Sequence, residues 1–288
     1  MIREAAPADI PAMEAFLSRH PETSMFLRSN IAAQGVGQTE HPYSGDYLIW
    51  PAEGPIRAIF GISGRGFLML QCPGQEREAF DAAAAHFAGR HMRGLTGEAG
   101  QARAYLDALG LTAQIERNEV EPLYSLDLAD LPEVPGKLRA PEPGDEALLT
   151  RWFRAYIADT GLAPADPGEA QEEAERRARD VIAGSPPCRL MIEDGQPVAM
   201  AALNAEVADV VQVGGVYVPR ETRNRGLGRR VTALLLAQAR ESGARLALLF
   251  AANPAAARAY EGIGFRRIGD YRVAMPDRVL TIPGGVSA

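Results

Sequence analysis

The residues best suited to chemistry lie between positions 216 and 230, in the run Val216-Tyr217-Val218-Pro219-Arg220-Glu221-Thr222-Arg223-Asn224-Arg225-Gly226-Leu227-Gly228-Arg229-Arg230. A strand-like stretch passes through a turn into a helix whose apolar face carries Val231, Leu234 and Leu235. Two glycines at the helix start leave backbone N–H groups unobstructed, and the helix dipole adds partial positive charge there, an arrangement that binds phosphate. Four arginines, at 223, 225, 229 and 230, crowd charge onto the same turn, so the pattern points to a polyanionic ligand. It is not a P-loop, because Arg229-Arg230 stand where Lys-Ser/Thr would follow the last glycine. Nor is it a dinucleotide fingerprint: Val231 occupies the place of the third glycine or alanine, and the loop does not follow the first strand of its unit.

A second group lies in Asn253-Pro254-Ala255-Ala256-Ala257-Arg258-Ala259-Tyr260. Asparagine followed by proline predicts a helix start, and seven residues make nearly two turns, which sets Asn253 and Tyr260 on one face about 10 Å apart. The alanines between them predict a shallow groove, and Gly264-Phe265 end the helix and begin a strand.

Arg223-x-x-Gly226-x-Gly228 after a strand, followed by Asn253, Tyr260 and Gly264-Phe265, resembles the GNAT superfamily of acyl-CoA-dependent N-acetyltransferases over about 195–275. The resemblance implies acetyl-CoA as cofactor and an amine acceptor, a small molecule or a peptide. It assigns the pyrophosphate to Arg223, Asn224, Arg225, Gly226, Leu227, Gly228, Arg229 and Arg230, the pantetheine arm to the strand Val216, Tyr217 and Val218, and the cofactor's reactive end to Asn253, Arg258 and Tyr260.

Aminolysis of a thioester needs a neutral amine, stabilisation of the developing oxyanion and a proton for the departing thiolate. An alkyl amine with a pKa near 10.4 is neutral only about once in two thousand molecules at pH 7, so a base normally assists. Glu206 and Asp209, just before the strand, are the carboxylates expected to act through water, and Tyr260 is the expected acid. The last histidine of the chain is His91, which excludes a Ser-His-Asp or Cys-His site in the second half. Two further readings stay open: a regulatory protein that binds acyl-CoA without turnover, and a purely structural duplicated domain.

These residues must be held by α/β elements, and the chain repeats itself. Ile2-Arg3 is followed by Pro7 and Asp9, and Leu138-Arg139 by Pro143 and Asp145, with the same spacing. Ala102-Arg103-Ala104-Tyr105 before Gly110 is matched by Ala257-Arg258-Ala259-Tyr260 before Gly264. Two echoes in one order imply an internal duplication. The expected architecture is two GNAT-like α/β (α+β) domains, each a mixed, mainly antiparallel sheet flanked by helices, over 1–133 and 134–288. The proline-rich stretch from Leu128 to Asp145 is the expected linker. In the second copy the pattern predicts helices near 145–160 and 168–183, a hairpin about Asp194-Gly195, strands at 210–218 and 245–251, helices at 228–241 and 254–263, and a last strand at 265–274. The first copy lacks the arginine-glycine loop between Phe67 and Gln75 and has Glu98 where Asn253 would stand, so it is expected to bind no cofactor.

Composition narrows the class. The 288 residues are 47% hydrophobic and 23% charged, enough for ordinary cores without staples. Two cysteines exclude a disulfide framework and a four-cysteine zinc site. A net charge of -7 argues against a broad nucleic-acid surface. No apolar run approaches the roughly 20 residues of a membrane span and the first residues do not read as a signal peptide, so the expectation is a cytoplasmic protein.

Overall fold

The repeated arginine and aspartate form the same staple twice. In the first repeat Arg3, in β1 (Arg3–Glu4), donates two hydrogen bonds of 2.7 and 2.8 Å to the Asp9 carboxylate, which also accepts from the Ala6 N–H at 2.8 Å. In the second, Arg139 reaches Asp145 at 2.5 and 2.8 Å and the Glu142 N–H takes the place of Ala6 at 2.8 Å. Forked guanidinium contacts of this kind are charge-assisted and directional. The Arg3 hydrogen bond, with that of Ala6 behind it, holds the Asp9 carboxyl down at about 2, and Arg139 holds Asp145 below the usual carboxylate range.

The computed structural model describes residues 1–160 and 166–284. Its contacts divide into unit 1, residues 1–122 with 269–288, and unit 2, residues 123–268. After β1, unit 1 continues with α1 (Ile10–Leu17), α2 (Met25–Gln34), β2 (Gly45–Trp50), β3 (Ala58–Ser63) and β4 (Phe67–Gln71). It goes on through α3 (Arg77–His86), β5 (His91–Met92), β6 (Gly94–Glu98) and α4 (Ala99–Leu109), and β7 (Arg117–Asp127) then crosses the division. Unit 2 holds β8 (Lys137–Arg139), α5 (Glu146–Asp159), α6 (Pro167–Ile182), β9 (Cys188–Glu193) and β10 (Gln196–Val207). Next come β11 (Val210–Tyr217), α7 (Leu227–Glu241), β12 (Leu246–Phe250) and α8 (Pro254–Glu261), and the chain ends with β13 (Arg266–Met275) and β14 (Leu280–Thr281).

The two units repeat one topology. In unit 1, β1, β2, β3 and β4 pair antiparallel in that order and β4 then pairs parallel with β6. In unit 2, β8 to β11 do the same and β11 pairs parallel with β12. Each sheet is therefore mixed and mainly antiparallel. Side chains alternate between its faces. In unit 2, Val211 and Val213 pack with Val231, Leu235 and Tyr260 from α7 and α8, whereas Met200 and Tyr217 pack with Trp152, Phe153 and Ala178 from α5 and α6.

The last strands depart from the expected arrangement. Leu123–Asp127 of β7, read as belonging to the first copy, lie antiparallel on Leu246–Phe250 in unit 2. Tyr271–Ala274 of β13, read as closing the second copy, lie antiparallel on Leu95–Glu98 in unit 1. The repeats have exchanged their final strands. An alternating pattern fixes which face of a strand is buried; it does not choose between two equivalent sheet edges.

The compact units are accordingly cut at 122/123, not at 133/134. Leu128 and Leu131, at the start of the proline-rich stretch, are buried in the core of unit 2. Its prolines separate short elements that are fixed in place instead of spacing out a free linker. Among the described residues no helix is long and apolar enough to cross a membrane.

Candidate functional site

The parallel pairing of β11 with β12 runs from Val210/Leu246 to Val213/Leu249 and stops. Beyond it β12 ends at Phe250, while β11 continues to Tyr217 along its other neighbour, β10, across a register shift spanning Gly214 to Tyr217. Gly215 supplies the positive φ of +58° that this bulge needs. The backbone of Val216 to Val218 therefore emerges where the parallel neighbour has ended. The chain then turns through Asn224 (φ +65°) and Gly226 (φ +75°), the N-cap of α7. Gly226 has no side chain to cap the helix, so its first N–H groups are left for a partner from outside. A Cβ built on Gly228 would meet nothing nearer than Val218 Cγ2 at 3.7 Å. This uncapped, unobstructed helix start fits a phosphate group.

The arginines are less free than their number implies. Arg223 donates to Asp159 at 2.5 Å and to the Val218 carbonyl at 3.0 Å, and its guanidinium lies 5.8 Å from the centre of the Tyr217 ring. Arg220 shares the same carboxylate. Burial works against ionisation of Asp159, yet the hydrogen bonds from Arg223 and Arg220 keep it below the usual carboxylate range. Glu193 holds Arg230 at 2.6 Å and Arg225 at 3.8 Å, and Arg230 also donates to the Pro135 carbonyl. Of the four expected arginines Arg229 makes no ion pair among the described residues, and it lies over Gly226 at the helix start. Asp159 and Glu193 are missing from the sequence reading because they stand 64 and 37 residues from the arginines they bind, with no local pattern to link them.

Asn253 begins α8 as expected, but its Oδ1 accepts from Ala255 and Ala256 N–H at 3.1 and 2.9 Å, so that atom caps the helix. Arg258 is exposed. Tyr260 is 8% exposed; burial raises its phenol above the ordinary tyrosine value, and the Tyr156 hydroxyl from α5 adds to the effect. Leu227 is buried in the core beneath the loop.

The expected carboxylates stand at the start of β11. Glu206 pairs with Val211 and Asp209 occupies the turn before β11, both exposed. At ~3.3 Å per residue Asp209 is about 13 Å below Val213, where β11 and β12 part, and about 26 Å from Tyr217. Both thus lie at the end of β11 opposite Tyr217. A buried polar side chain beside the parting is Gln212, 2% exposed, whose Nε2 donates to the Val213 carbonyl at 2.8 Å while its Oε1 has no partner among the described residues. A glutamine inside a run of valines carries no signal of such a position in sequence.

Residues 149–265 match the Acetyltransferase (GNAT) family, over about two fifths of the chain. No curated protein matches the chain by sequence. Three solved structures share its fold over nearly the whole length. An X-ray structure of a Drosophila protein is 10% identical, with a TM-score of 0.61, covering 95% of this chain and 98% of the other. An acetyltransferase from the GNAT family of Colwellia psychrerythraea is 14% identical, with a TM-score of 0.52, covering 96% and 100%. A GCN5-related N-acetyltransferase from Sphaerobacter thermophilus is 15% identical, with a TM-score of 0.51, covering 100% and 97%. At these identities the likeness is one of fold.

The GNAT segment thus contains both the glycine loop and Tyr260, and unit 1 offers an internal comparison. Tyr105 occupies the place of Tyr260, and Glu98, seven residues before it, accepts from Gly100 and Gln101 N–H at 3.0 and 2.9 Å, the same cap that Asn253 makes. Three residues past the cap the units differ: unit 2 has Ala256 and unit 1 has Gln101. The Gln101 side chain is buried and its Oε1 accepts from the Cys72 N–H at 2.6 Å, just past the end of β4. A side chain of unit 1 thus takes up the N–H just past the end of β4.

Proposed function

We propose that unit 2 is an acyl-CoA-dependent N-acetyltransferase that moves an acetyl group from acetyl-CoA to an amine of a small molecule or peptide. The observation that supports this best is the parting of β11 and β12 directly before an uncapped glycine N-terminus, inside a segment that matches the GNAT family. When bound, acetyl-CoA would supply an activated acetyl thioester. The N–H groups of Leu227, Gly228 and Arg229, with the Arg229 guanidinium, would hold the pyrophosphate, and Asn224 and Gly226 shape the turn that presents them. The main chain of Val216 to Val218 would pair with the pantetheine arm and direct N–H groups at developing negative charge. Tyr260, whose burial keeps its proton on at neutral pH, is the group assigned to protonate the departing thiolate. Arg220, Arg223, Arg225 and Arg230 fix the loop to α5 and to the β9–β10 hairpin through Asp159 and Glu193. In this reading unit 1 is a GNAT-like copy without a cofactor site, its strand end closed by Gln101.

Calorimetric titration of the full chain with acetyl-CoA tests binding, and release of free thiol with a panel of amines tests transfer. Saturable binding and amine-dependent thiol release are expected. Gly228→Val should weaken binding at least about tenfold with little change in melting temperature, because the glycine has ordinary φ and a Cβ there would make only an ordinary contact with Val218. Absence of binding to the unaltered chain overturns the reading, and binding without release for every amine would leave a regulatory acyl-CoA-binding protein in its place.

A further inference from the structure

A second feature of unit 2 lies on the α5 face of the sheet, on the side of β11 that pairs with β10. A cavity of about 360 Å³ opens there between α5, the start of β10 and the loop after β11. Its apolar walls include Trp152, Tyr217, Val198 and Pro219, with the two aromatic rings 5.8 Å apart and tilted by 47°. Both rings are nearly buried and form a floor. Two charged side chains line the same cavity, Arg151 and Glu221.

These two charges differ from those around them. Arg220 and Arg223 are held by Asp159, and Arg225 and Arg230 by Glu193. Among the described residues Arg151 makes one hydrogen bond, to the Ala147 carbonyl of its own helix, and no ion pair. Among the described residues Glu221, which is exposed, makes neither a hydrogen bond nor an ion pair. Among the described residues, then, a cation and an anion that are not engaged in ion pairs line one apolar cavity of the size that small ligands occupy. Both side chains are exposed at the mouth of the cavity, and a ligand with a single charge would make a charge-assisted contact with one of them alone. A zwitterion satisfies both.

We infer that this cavity binds a free α-amino acid with a large apolar side chain, its carboxylate on Arg151, its ammonium on Glu221 and its side chain over Trp152 and Tyr217. The contacts are charge-assisted at one end and aromatic at the other. Nothing in the inference depends on acetyl transfer, and it stands or falls on binding alone.

Phenylalanine is the probe, titrated into the full chain without acetyl-CoA and followed by calorimetry and by tryptophan fluorescence. The chain has two tryptophans, Trp50 in unit 1 and Trp152 in the cavity, so Trp50→Phe isolates the relevant signal. The unaltered chain in the calorimeter covers the case in which that variant does not fold. Saturable binding with a change in Trp152 emission is expected. Phenethylamine and 3-phenylpropionate, each lacking one charge, should bind at least about tenfold more weakly, and Arg151→Gln and Glu221→Gln should each weaken phenylalanine by a similar factor. No saturable binding of phenylalanine overturns the inference. So does equal binding of either singly charged analogue, or unchanged affinity in both variants.

Discussion

At the scale of single residues the sharpest contrast is between Tyr260 and the two carboxylates before β11, Glu206 and Asp209. Tyr260→Phe keeps the ring against Phe265, 6.1 Å away between centroids, and removes only the hydroxyl. If that hydroxyl serves the leaving thiolate, turnover should fall by roughly 10²–10⁴ with acetyl-CoA affinity nearly intact. Steady-state rates and cofactor titration on one preparation separate the two, and full turnover would remove Tyr260 from the chemistry. Glu206→Gln and Asp209→Asn should change turnover less than about twofold, because both side chains sit at the far end of β11; a loss comparable to that of Tyr260→Phe in either would contradict the placement. The glycine loop was legible because backbone φ and N–H exposure are properties of glycine itself. Asp159, Glu193 and Gln212 were not, because what each does is set by a neighbour brought in from elsewhere in the fold.

At the scale of elements, caps and staples show how far a local pattern carries. The repeat Arg-x₅-Asp was read as evidence of duplication, and it proves to be one device built twice, with the carboxylate tied to both a guanidinium and a backbone N–H. A carboxyl held near 2 stabilises the fold above its unfolded value near 3.9, and that contribution is lost as pH falls through the folded value. Asp9→Asn should therefore lower the melting temperature at pH 7 but converge with the parent by about pH 2. Thermal melts across that range check it, and a constant difference down to pH 2 would show that the carboxylate charge is not what matters. The two N-caps are a parallel case: Asn253→Ala and Glu98→Ala should each cost about 0.5–2 kcal/mol in denaturant melts. If Asn253 instead contributes mainly to ligand binding, its replacement would leave stability unchanged and affect acetyl-CoA affinity alone.

At the scale of the whole molecule, the helix spans of the second copy followed from periodicity to within a few residues, while α2, β6 and β7 and the owners of the last strands did not. Pairing a strand with a remote edge is decided by long-range contacts that no window of sequence contains. A fragment of residues 134–288 lacks Leu123–Asp127, the partner of β12, and should be insoluble or unfolded. Residues 123–268 contain every strand of unit 2 and should give a cooperative melt. Circular dichroism of the two fragments decides, and a well-folded 134–288 would show that the exchanged strand is dispensable.

The exchange also sets a timetable during synthesis. Residues 1–122 leave the ribosome with β6 lacking its neighbour, and that neighbour is not translated until position 271. At roughly 5–20 residues per second the nascent first unit presents an unpaired, largely buried-type strand edge for about 8–30 s. Such an edge is a template for pairing with other chains. The protein's yield in cells should then depend on elongation rate and on chaperones that cover strand edges, a dependence that the finished molecule, with both sheets completed, no longer has.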